Sequence, residues 1–348
     1  MFGRPRKQPQ FKDLVDTQDW QKIQDIFSAV TNINLRTLDP EGNLLTTPSG
    51  ETRLCKEFLK NSTYGLELCG HSFPTFLGGK GVVDRNLSFV GPPGFHNFSA
   101  PLKFDDTVGA YIILGPVILV MRKAKEYYDK LADEINADPE ALWEAIKEVR
   151  VISFHRAQTL MELIVKMSEF ILASAYENFK TGNKFSGPLS GQFKGVLEVL
   201  LDLSLEISGA DMGSIMLLDK SKQELTIRAS RGLPDSVVKN TRLQLGSGLC
   251  GTAVSENRPL LIDDKLDDNR IKKYLNRPYL KSSLILPIGT EKEAIGAVNL
   301  GALEVSAVRF NDNNLQTMYK VIGLATDALY TPFKQKINSK SAYLEQLL

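Results

Sequence analysis

Apolar positions near the start of the chain recur at helical spacing. Trp20, Ile23, Phe27 and Val30 are separated by three, four and three residues, which predicts one face of an amphipathic helix. Two strand-like runs follow, on either side of the sequence Asp-Pro-Glu-Gly-Asn at residues 39–43, whose composition is typical of a turn. This segment therefore predicts a helix followed by a strand, a turn and a second strand.

The same order of patterns recurs in the second half. Phe193, Val196 and Leu200 share one helix face, and a strand, a turn and a strand follow. Each copy ends in a similar hairpin signature at residues 98–116 and 284–302: an apolar run with a proline, a polar turn, Gly-Ala and a second apolar run. Such continuous apolar runs indicate strands buried on both faces. We therefore predict an α/β (α+β) fold with two related domains, each a central antiparallel sheet flanked by helices.

A helical segment separates the two patterns. It begins with two helices, the second of which places Pro139 in its first turn, and a longer helix follows from about residue 158 to residue 179. Six positions of the long helix have heptad-like spacing: Leu160, Ile164, Met167, Ile171, Ser174 and Asn178. Two interpretations remain open, because the helix either packs against its own domain or forms a parallel dimer helix that carries a signal between domains.

These patterns divide the chain into five segments. Polar residues and prolines predict a disordered N-terminal tail, and a Gly- and Ser-rich stretch predicts the boundary between the domains. The predicted segments are a tail at 1–17, a first domain at 18–121, a helical connector at 122–186, a second domain at 187–332 and a C-terminal tail at 333–348.

Composition narrows the class of protein. Of the 348 residues, 43% are hydrophobic and 24% are charged, which is typical of a soluble globular protein. The formal net charge of +1 provides no overall attraction to nucleic acid or to an anionic membrane, so neither is a predicted partner. No apolar stretch is long enough to span a bilayer, and the N-terminus lacks the apolar core of a signal peptide. We therefore predict a cytoplasmic location.

Residue types that perform catalysis are scarce. The chain has three histidines and three cysteines, and it contains no G-x-x-x-x-G-K, no G-x-S-x-G and no H-E-x-x-H sequence. We predict that the protein is not an enzyme and that it has no cofactor.

The second half resembles a GAF domain over residues 190–330. The resemblance rests on the sequences GADMGSIMLLD at 209–219 and LGSGLCGTAVSENRPLLIDD at 245–264, and on the closing hairpin. GAF domains sense small molecules and dimerise, so the resemblance implies a sensing or dimerising module.

The first half resembles the PocR ligand-binding domain, a PAS-like sensory domain of bacterial regulators, over residues 18–175. The resemblance rests on the sequence WQKIQDIFSAVTNINLRTLDPEGNLLTTPS at 20–49, on Cys55 and Cys69, and on the closing hairpin. It implies a pocket for a small hydrocarbon derivative such as a diol. The chain departs from the family pattern because no third cysteine precedes the closing hairpin, so a ligand that depends on that cysteine is not implied.

Three residues of the first half form a candidate metal site. Cys55, Cys69 and His71 supply ligand types that suit zinc, without the paired C-x-x-C spacing that marks most zinc sites. The alternative is that the cysteines are simply buried, as unpaired cysteines often are. Cys55 and Cys69 also count among the candidate small-molecule ligands.

An aromatic group forms the main candidate pocket. Phe89, Phe95, His96 and Phe98 lie in and beside a predicted loop rich in Gly and Pro, and Tyr111 of the closing hairpin joins this candidate ligand-binding set. The rings either line an apolar pocket with one polar handle or attach the loop to the core.

Asn299 is the candidate ligand-binding residue of the second half, because it interrupts an apolar strand. It either points into a cavity or is a satisfied structural residue. Cys250 is the only cysteine of this half, so it cannot form a resolving disulfide within it, and we predict that it packs in the core.

Together these features predict a bacterial signal-transduction sensor. A small molecule would bind the PocR-like half, and helices would relay the signal to a GAF homodimer. No output domain is recognisable in the sequence, so we expect the signal to pass to a partner protein on another chain. The alternatives are a ligand-free dimeric structural adaptor and a GAF-fold enzyme.

Overall fold

The structure, a computed structural model, describes residues 9–61, 84–91, 94–181, 190–219, 223–263, 279–290 and 292–330. The chain divides into two compact units, Met1–Gly187 and Pro188–Leu348.

The first unit combines helices with one antiparallel sheet. Its helices are α1 (Phe11–Leu14), α2 (Thr17–Thr31), α3 (Lys125–Glu134), α4 (Pro139–Glu148) and α5 (Phe154–Thr181), with a π-helical turn at Leu54–Phe58 and a 3-10 turn at Leu59–Asn61. Its strands are β1 (Leu35–Leu38), β2 (Leu87–Gly91), β3 (Phe95–Phe104), β4 (Thr107–Leu119) and β5 (Val151–Ile152).

Local sequence explains the bounds of α2. The Asp16 side chain caps the helix by accepting from the backbone N–H groups of Gln18 and Asp19, which otherwise have no partner within the helix. Asn32 ends the helix in the left-handed conformation. The indole Nε1 of Trp20 donates to Thr37 Oγ1 at 2.8 Å and so attaches the buried side of α2 to β1.

The predicted disordered tail at 1–17 is wrong for residues 9–17. Helix α1 begins at Phe11, whose side chain is buried and packs edge-on against Trp20 with ring centroids 5.7 Å apart. Val15 is buried as well, so two apolar side chains hold a segment that polar composition made look unstructured. Residues 1–8 lie outside the described residues, as does the predicted C-terminal tail.

The first sheet has the strand order β1-β4-β3-β2, with all neighbours antiparallel. The strand predicted after β1 is reduced to isolated bridges, which join Leu44 to Leu38 and Ser49 to Leu35. The predicted closing hairpin is β3–β4, and nearly all its residues are buried, as continuous apolar runs predict.

The helical connector belongs to the first unit. Pro139 lies in the first turn of α4, as predicted. Strand β5, which the sequence analysis missed, pairs in parallel with β4 and adds a short fifth strand to the sheet. Of the heptad positions in α5, Leu160, Ile164 and Met167 are at most 1% exposed in the single chain. Their burial favours the interpretation in which α5 packs against its own domain.

The second unit is built in the same way. Its helices are α6 (Ser190–Ser208), α7 (Asp235–Asn240), α8 (Gly248–Ser255) and α9 (Asp312–Tyr330). Its strands are β6 (Met212–Leu218), β7 (Glu224–Arg231), β8 (Arg242–Gln244), β9 (Leu260–Ile262), β10 (Leu280–Gly289) and β11 (Ala294–Leu303), in the order β8-β7-β6-β11-β10-β9.

Helices cover both faces of the second sheet. Helices α6 and α9 pack together on one face, as predicted from their apolar patterns. Helix α8 packs on the other face, where Leu249, Cys250 and Ala253 join a cluster with Ile285 and Ala297. Cys250 is 4% exposed, so its predicted place in the core is confirmed.

The two sheets share one plan, which confirms the predicted α/β (α+β) fold of two related antiparallel-sheet domains. In each sheet the first strand pairs with the last strand of the closing hairpin: β1 with β4, and β6 with β11. None of the described helices is both long and apolar enough to cross a membrane.

Candidate ligand-binding site

The first sheet has two distinct faces. Helices α2 and α5 pack on one of them, which we call the helix face: Trp20 bonds Thr37 there, and the ring centroids of Phe98 and Phe154 are 5.9 Å apart. The opposite side, which we call the cluster face, has an apolar cluster made by Leu38, Phe89, Val108, Tyr111 and Ile113.

The structure brings two of the predicted ligand residues together. Phe89 on β2 and Tyr111 on β4 belong to the same cluster and are 5% and 2% exposed. The other members of that cluster are aliphatic. Its aromatic and aliphatic side chains have the composition of the wall of an apolar binding site.

Phe98 and His96 lie on the other face. Of the loop predicted at 89–98, residues 89–91 lie in β2 and residues 95–98 lie in β3, and direct pairing of Phe89 with Asn97 places Phe98 on the helix face. Phe98 and Phe89 therefore lie on opposite faces of the sheet, because successive residues of a strand point to opposite faces.

His96 keeps one unusual property on the helix face. It is half-buried, and its Nδ1 has no hydrogen-bond partner among the described residues. Burial lowers the pKa of His96 below its ordinary value of 6.5, because desolvation disfavours the charged imidazolium.

Phe95 and Cys55 belong to a separate apolar cluster. They pack with Tyr128 of α3 and with residues of α4, and the rings of Phe95 and Tyr128 are stacked with centroids 6.1 Å apart. The Cys55 thiol is buried there and accepts from Thr52 Oγ1 at 3.6 Å. Cys55 and Phe95 thus help to attach the connector helices to the sheet.

The predicted metal site stays a prediction. Cys69 and His71 lie outside the described residues. Within the part of the chain that the structure describes, no cluster of three or more His, Cys, Asp or Glu side chains is arranged to hold a metal ion.

The sequence analysis missed a row of polar residues on the cluster face. Arg36, Ile113 and Ser99 are direct neighbours across β1, β4 and β3, and Asn97 pairs with Phe89. Directly paired residues share a face, so Arg36, Asn97 and Ser99 lie beside the apolar cluster. The sequence did contain a signal for this row. Asn34, Arg36 and Leu38 occupy every second position, as residues on one face of a strand do.

Arg36 is the main charge on this face. Its side chain is 1% exposed, and its Nη2 donates to Asn97 Oδ1 at 3.4 Å and to the carbonyl oxygen of Gly115 at 3.3 Å. The guanidinium retains its positive charge in proteins, so the cluster face combines an apolar wall with a buried cation.

Buried polar atoms without a hydrogen-bond partner among the described residues also occur in this region. They include the hydroxyl oxygen of Ser99 and the side-chain carbonyl oxygen of Asn34, and these two residues are 1% and 2% exposed. Leaving a buried polar group without a partner costs about 1–3 kcal/mol, which makes such atoms rare.

In the second unit, Asn299 lies on the face that α8 covers. It is half-buried between its cross-strand neighbours Ser214 on β6 and Ile285 on β10. Ile285 and Ala297 of the same face belong to the α8 cluster. The structure places Asn299 beside a packed core and does not decide between its two predicted roles.

Each of the two units matches a known protein family. Residues 13–176 match the family described as the sensory domain found in PocR, and residues 192–329 match a GAF domain family. The chain carries a PocR sensory domain followed by a GAF domain. Both resemblances derived from the sequence are thereby confirmed, and the two domain types support a role in signal sensing.

Solved structures resemble the chain only distantly. The GAF domain of an Acinetobacter phosphoenolpyruvate-protein phosphotransferase is 18% identical, with a TM-score of 0.36 and coverage of 51% of this chain and 94% of that chain. The free methionine-R-sulfoxide reductase of Neisseria meningitidis is 14% identical, with a TM-score of 0.36 and coverage of 53% and 96%. The type II enzyme of Thermoplasma acidophilum is 20% identical, with a TM-score of 0.34 and coverage of 41% and 95%.

These likenesses support no argument about the activity of this chain. None of the curated proteins compared with the chain matches it significantly.

Proposed function

We propose that this chain is a non-enzymatic sensor whose PocR domain binds a small hydroxylated molecule on the cluster face. One observation supports this most directly: the buried Ser99 hydroxyl has no partner among the described residues, in the row that adjoins the apolar cluster. A ligand that satisfies this hydroxyl recovers a desolvation cost that folding leaves in place.

The chemistry of the face suggests the class of ligand. A serine hydroxyl both donates and accepts, an amide oxygen accepts, and a guanidinium donates, so Ser99, Asn34 and Arg36 together match the hydroxyl groups of a short polyol. Phe89 and Tyr111 supply the apolar wall for its carbon atoms. This agrees with the diol-like ligand that the PocR resemblance implies.

Helix α5 is the proposed relay. It packs on the opposite face of the same sheet through two ring contacts, Phe98 with Phe154 at 5.9 Å and Phe104 with Tyr176 at 5.5 Å. It ends at Thr181, shortly before the GAF domain begins with α6. A ligand shifts the balance between two arrangements of α5 only by its difference in affinity for them.

A thiol-dependent enzyme is a weaker proposal. Cys250 is the only cysteine of the GAF domain, and it lies buried in the apolar cluster beneath α8. The predicted homodimer and the predicted output partner on another chain remain predictions.

Thermal unfolding with added ligands tests the proposal. Trp20 and Trp143, the only two tryptophans of the chain, both lie in the PocR domain, so tryptophan fluorescence reports that domain alone. Short diols of two to four carbons should raise its unfolding temperature saturably. At a diol concentration of 100 times the dissociation constant, the free energy of unfolding should rise by about 2.7 kcal/mol. Monohydric alcohols of the same size should stabilise less.

Two serine variants provide the matched comparison. Ser99→Ala should lose most of the diol effect, whereas Ser88→Ala should retain it, because Ser88 is exposed and pairs with Phe98 on the helix face. If no diol stabilises the wild type saturably, or if both variants respond equally, the proposed site is wrong and the adaptor alternative gains support.

A further inference from the structure

A cleft of about 210 Å³ opens at the hairpin end of the first sheet. It lies between helix α1, the turn that follows β1, and the first residues of β4. None of Ser99, Arg36 and Asn34 lines it, and Val108 is the one cluster-face residue that it shares with the apolar cluster. The cleft is therefore a separate candidate site in the same domain.

The floor of the cleft is apolar and already in place. Phe11 and Phe104 are 2% and 3% exposed, and both line the cleft. Phe11 is held edge-on against Trp20, and a Cβ added at Gly109 would overlap the ring of Phe104, so each ring is fixed by its neighbours. The small part of their surface that faces the cleft is therefore held in place before a ligand binds.

The rim of the cleft is acidic. Asp39 and Glu41 contribute two carboxylates, and Lys12 contributes the only ammonium group among the lining residues. The Asp39 carboxylate is oriented because its Oδ1 accepts from the backbone N–H of Asn43 at 2.7 Å and its Oδ2 accepts from Asn43 Nδ2 at 2.9 Å. Each of its oxygens has a second lone pair available for a ligand.

We propose that this cleft binds a small organic cation, an amine attached to an apolar body about the size of one ring. A cavity of about 150 Å³ accommodates benzene, so the volume fits such a body. The carboxylates accept the N–H groups of the amine, and the apolar floor packs against its body. A carboxylate ligand of the same shape meets two like charges at the rim.

The position of the cleft connects it to α5. Phe104 contacts the ring of Tyr176 with centroids 5.5 Å apart, and Tyr176 donates its hydroxyl to Asp105 Oδ2 at 2.6 Å. Lys180 lies 4.0 Å from the centre of the Tyr176 ring. A ligand against Phe104 thus touches the residue that holds the last turns of α5, so this inference adds a second effector to the proposed sensor and stands without the first.

Fluorine NMR of the full chain labelled with 5-fluorotryptophan tests this inference. Trp20 reports the cleft through Phe11, and Trp143, which packs on Tyr128 in the other cluster, is the internal control. Benzylamine should shift the Trp20 resonance saturably and leave that of Trp143 unchanged. Benzyl alcohol should bind more weakly, and benzoate should produce no shift.

Three variants sharpen the result. Glu41→Gln should weaken benzylamine binding by about two- to fivefold, as expected for an exposed ion pair. Glu134→Gln, an exposed change on α3, should leave the affinity unchanged. Leu45→Phe should narrow the cleft and abolish the shift, with the unchanged Trp143 resonance showing that the domain remains folded.

Three outcomes would overturn the inference: no Trp20 shift with any probe, equal binding of benzyl alcohol and benzylamine, or equal affinity in Glu41→Gln and Glu134→Gln. Because Ser99 does not line the cleft, a failure here leaves the diol experiment on Ser99 unaffected, and the reverse also holds.

Discussion

The PocR and GAF sheets share a strand plan but use their second faces differently. In both, the helix that precedes the first strand and the last helix of the domain pack on one face: α2 and α5 in the PocR domain, α6 and α9 in the GAF domain. On the other face, the GAF domain has helix α8 and its apolar cluster. The PocR domain has a buried arginine and buried polar atoms, on Ser99 and Asn34, without partners among the described residues.

Features that both sheets share are needed for the fold, whereas features found in only one sheet are candidates for a binding site. The helix-covered faces and the closing hairpins recur because each domain needs a buried sheet core. Unpartnered buried polar atoms lower stability, so the fold does not need them, and two of them, on Ser99 and Asn34, belong to the face to which we assign the proposed ligand.

The largest expected effect contrasts the two repeated glycines of the closing hairpins. A Cβ at Gly296 would overlap the carbonyl oxygen of Met216 and crowd the backbone of Leu217, whereas the atoms nearest to a Cβ at Gly109 all belong to the side chain of Phe104. Gly296→Ala should lower the free energy of unfolding of the GAF domain by about 3 kcal/mol, and Gly109→Ala should lower that of the PocR domain by about 1 kcal/mol.

Urea unfolding measures both glycine variants, with far-UV circular dichroism for the whole chain and tryptophan fluorescence for the PocR domain. Equal losses of unfolding free energy in the two variants would show that the PocR and GAF hairpins are packed alike, which would contradict the predicted difference between them.

The next effect compares the two faces of the PocR sheet. On the helix face Gln24 is fully bonded: its Oε1 accepts from Thr37 Oγ1 and Thr46 Oγ1, and its Nε2 donates to Thr47 O and Ser49 Oγ, all at 2.8 Å. Gln24→Ala should therefore destabilise the PocR domain by about 2 kcal/mol, because it leaves buried groups without partners. A loss below measurement error in urea unfolding followed by tryptophan fluorescence would contradict this account of the helix face.

Sequence patterns predicted the architecture well for a physical reason. The closing hairpins are buried on both faces, so their apolar runs were visible, and the helices were marked by their apolar spacing and, in α4, by Pro139. Helix α1 was missed because one buried ring, Phe11, does not make a periodic pattern. Strand β5 has two residues, too few for an alternation to show.

The candidate site was only partly predictable. Phe89 and Tyr111 were named for their chemistry and do share a face, but Phe95 and Phe98 were grouped with them by closeness in sequence. Phe98 lies on the opposite face of the sheet from Phe89, and Phe95 packs against the connector helices. The strand register that separates these residues is not visible in the sequence. Arg36 and Ser99 were missed because their contacts lie on neighbouring strands, far away along the chain.

The smallest expected effect concerns His96 and pH. Its folded-state pKa is lowered by burial, so below about 6.5 the unfolded state binds more protons and the stability of the PocR domain falls as pH decreases. His96→Gln should make the fall in unfolding temperature between about pH 7 and pH 5 shallower. Because His96 lies on the helix face, a saturating diol should leave the slope of the wild type unchanged. A diol-dependent slope would place His96 at the ligand after all.

The most direct measurement compares serines on the equivalent strands β3 and β10. Ser99 is 1% exposed and its hydroxyl has no partner among the described residues, whereas Ser282 is 2% exposed and its Oγ accepts from the backbone N–H of Phe310 at 3.0 Å. Without ligand, Ser99→Ala should leave the free energy of unfolding unchanged or raise it, and Ser282→Ala should lower it by about 1–2 kcal/mol. A comparable loss in Ser99→Ala would mean that its hydroxyl is already satisfied in the folded chain, and the cluster face would then not be a site kept for a ligand.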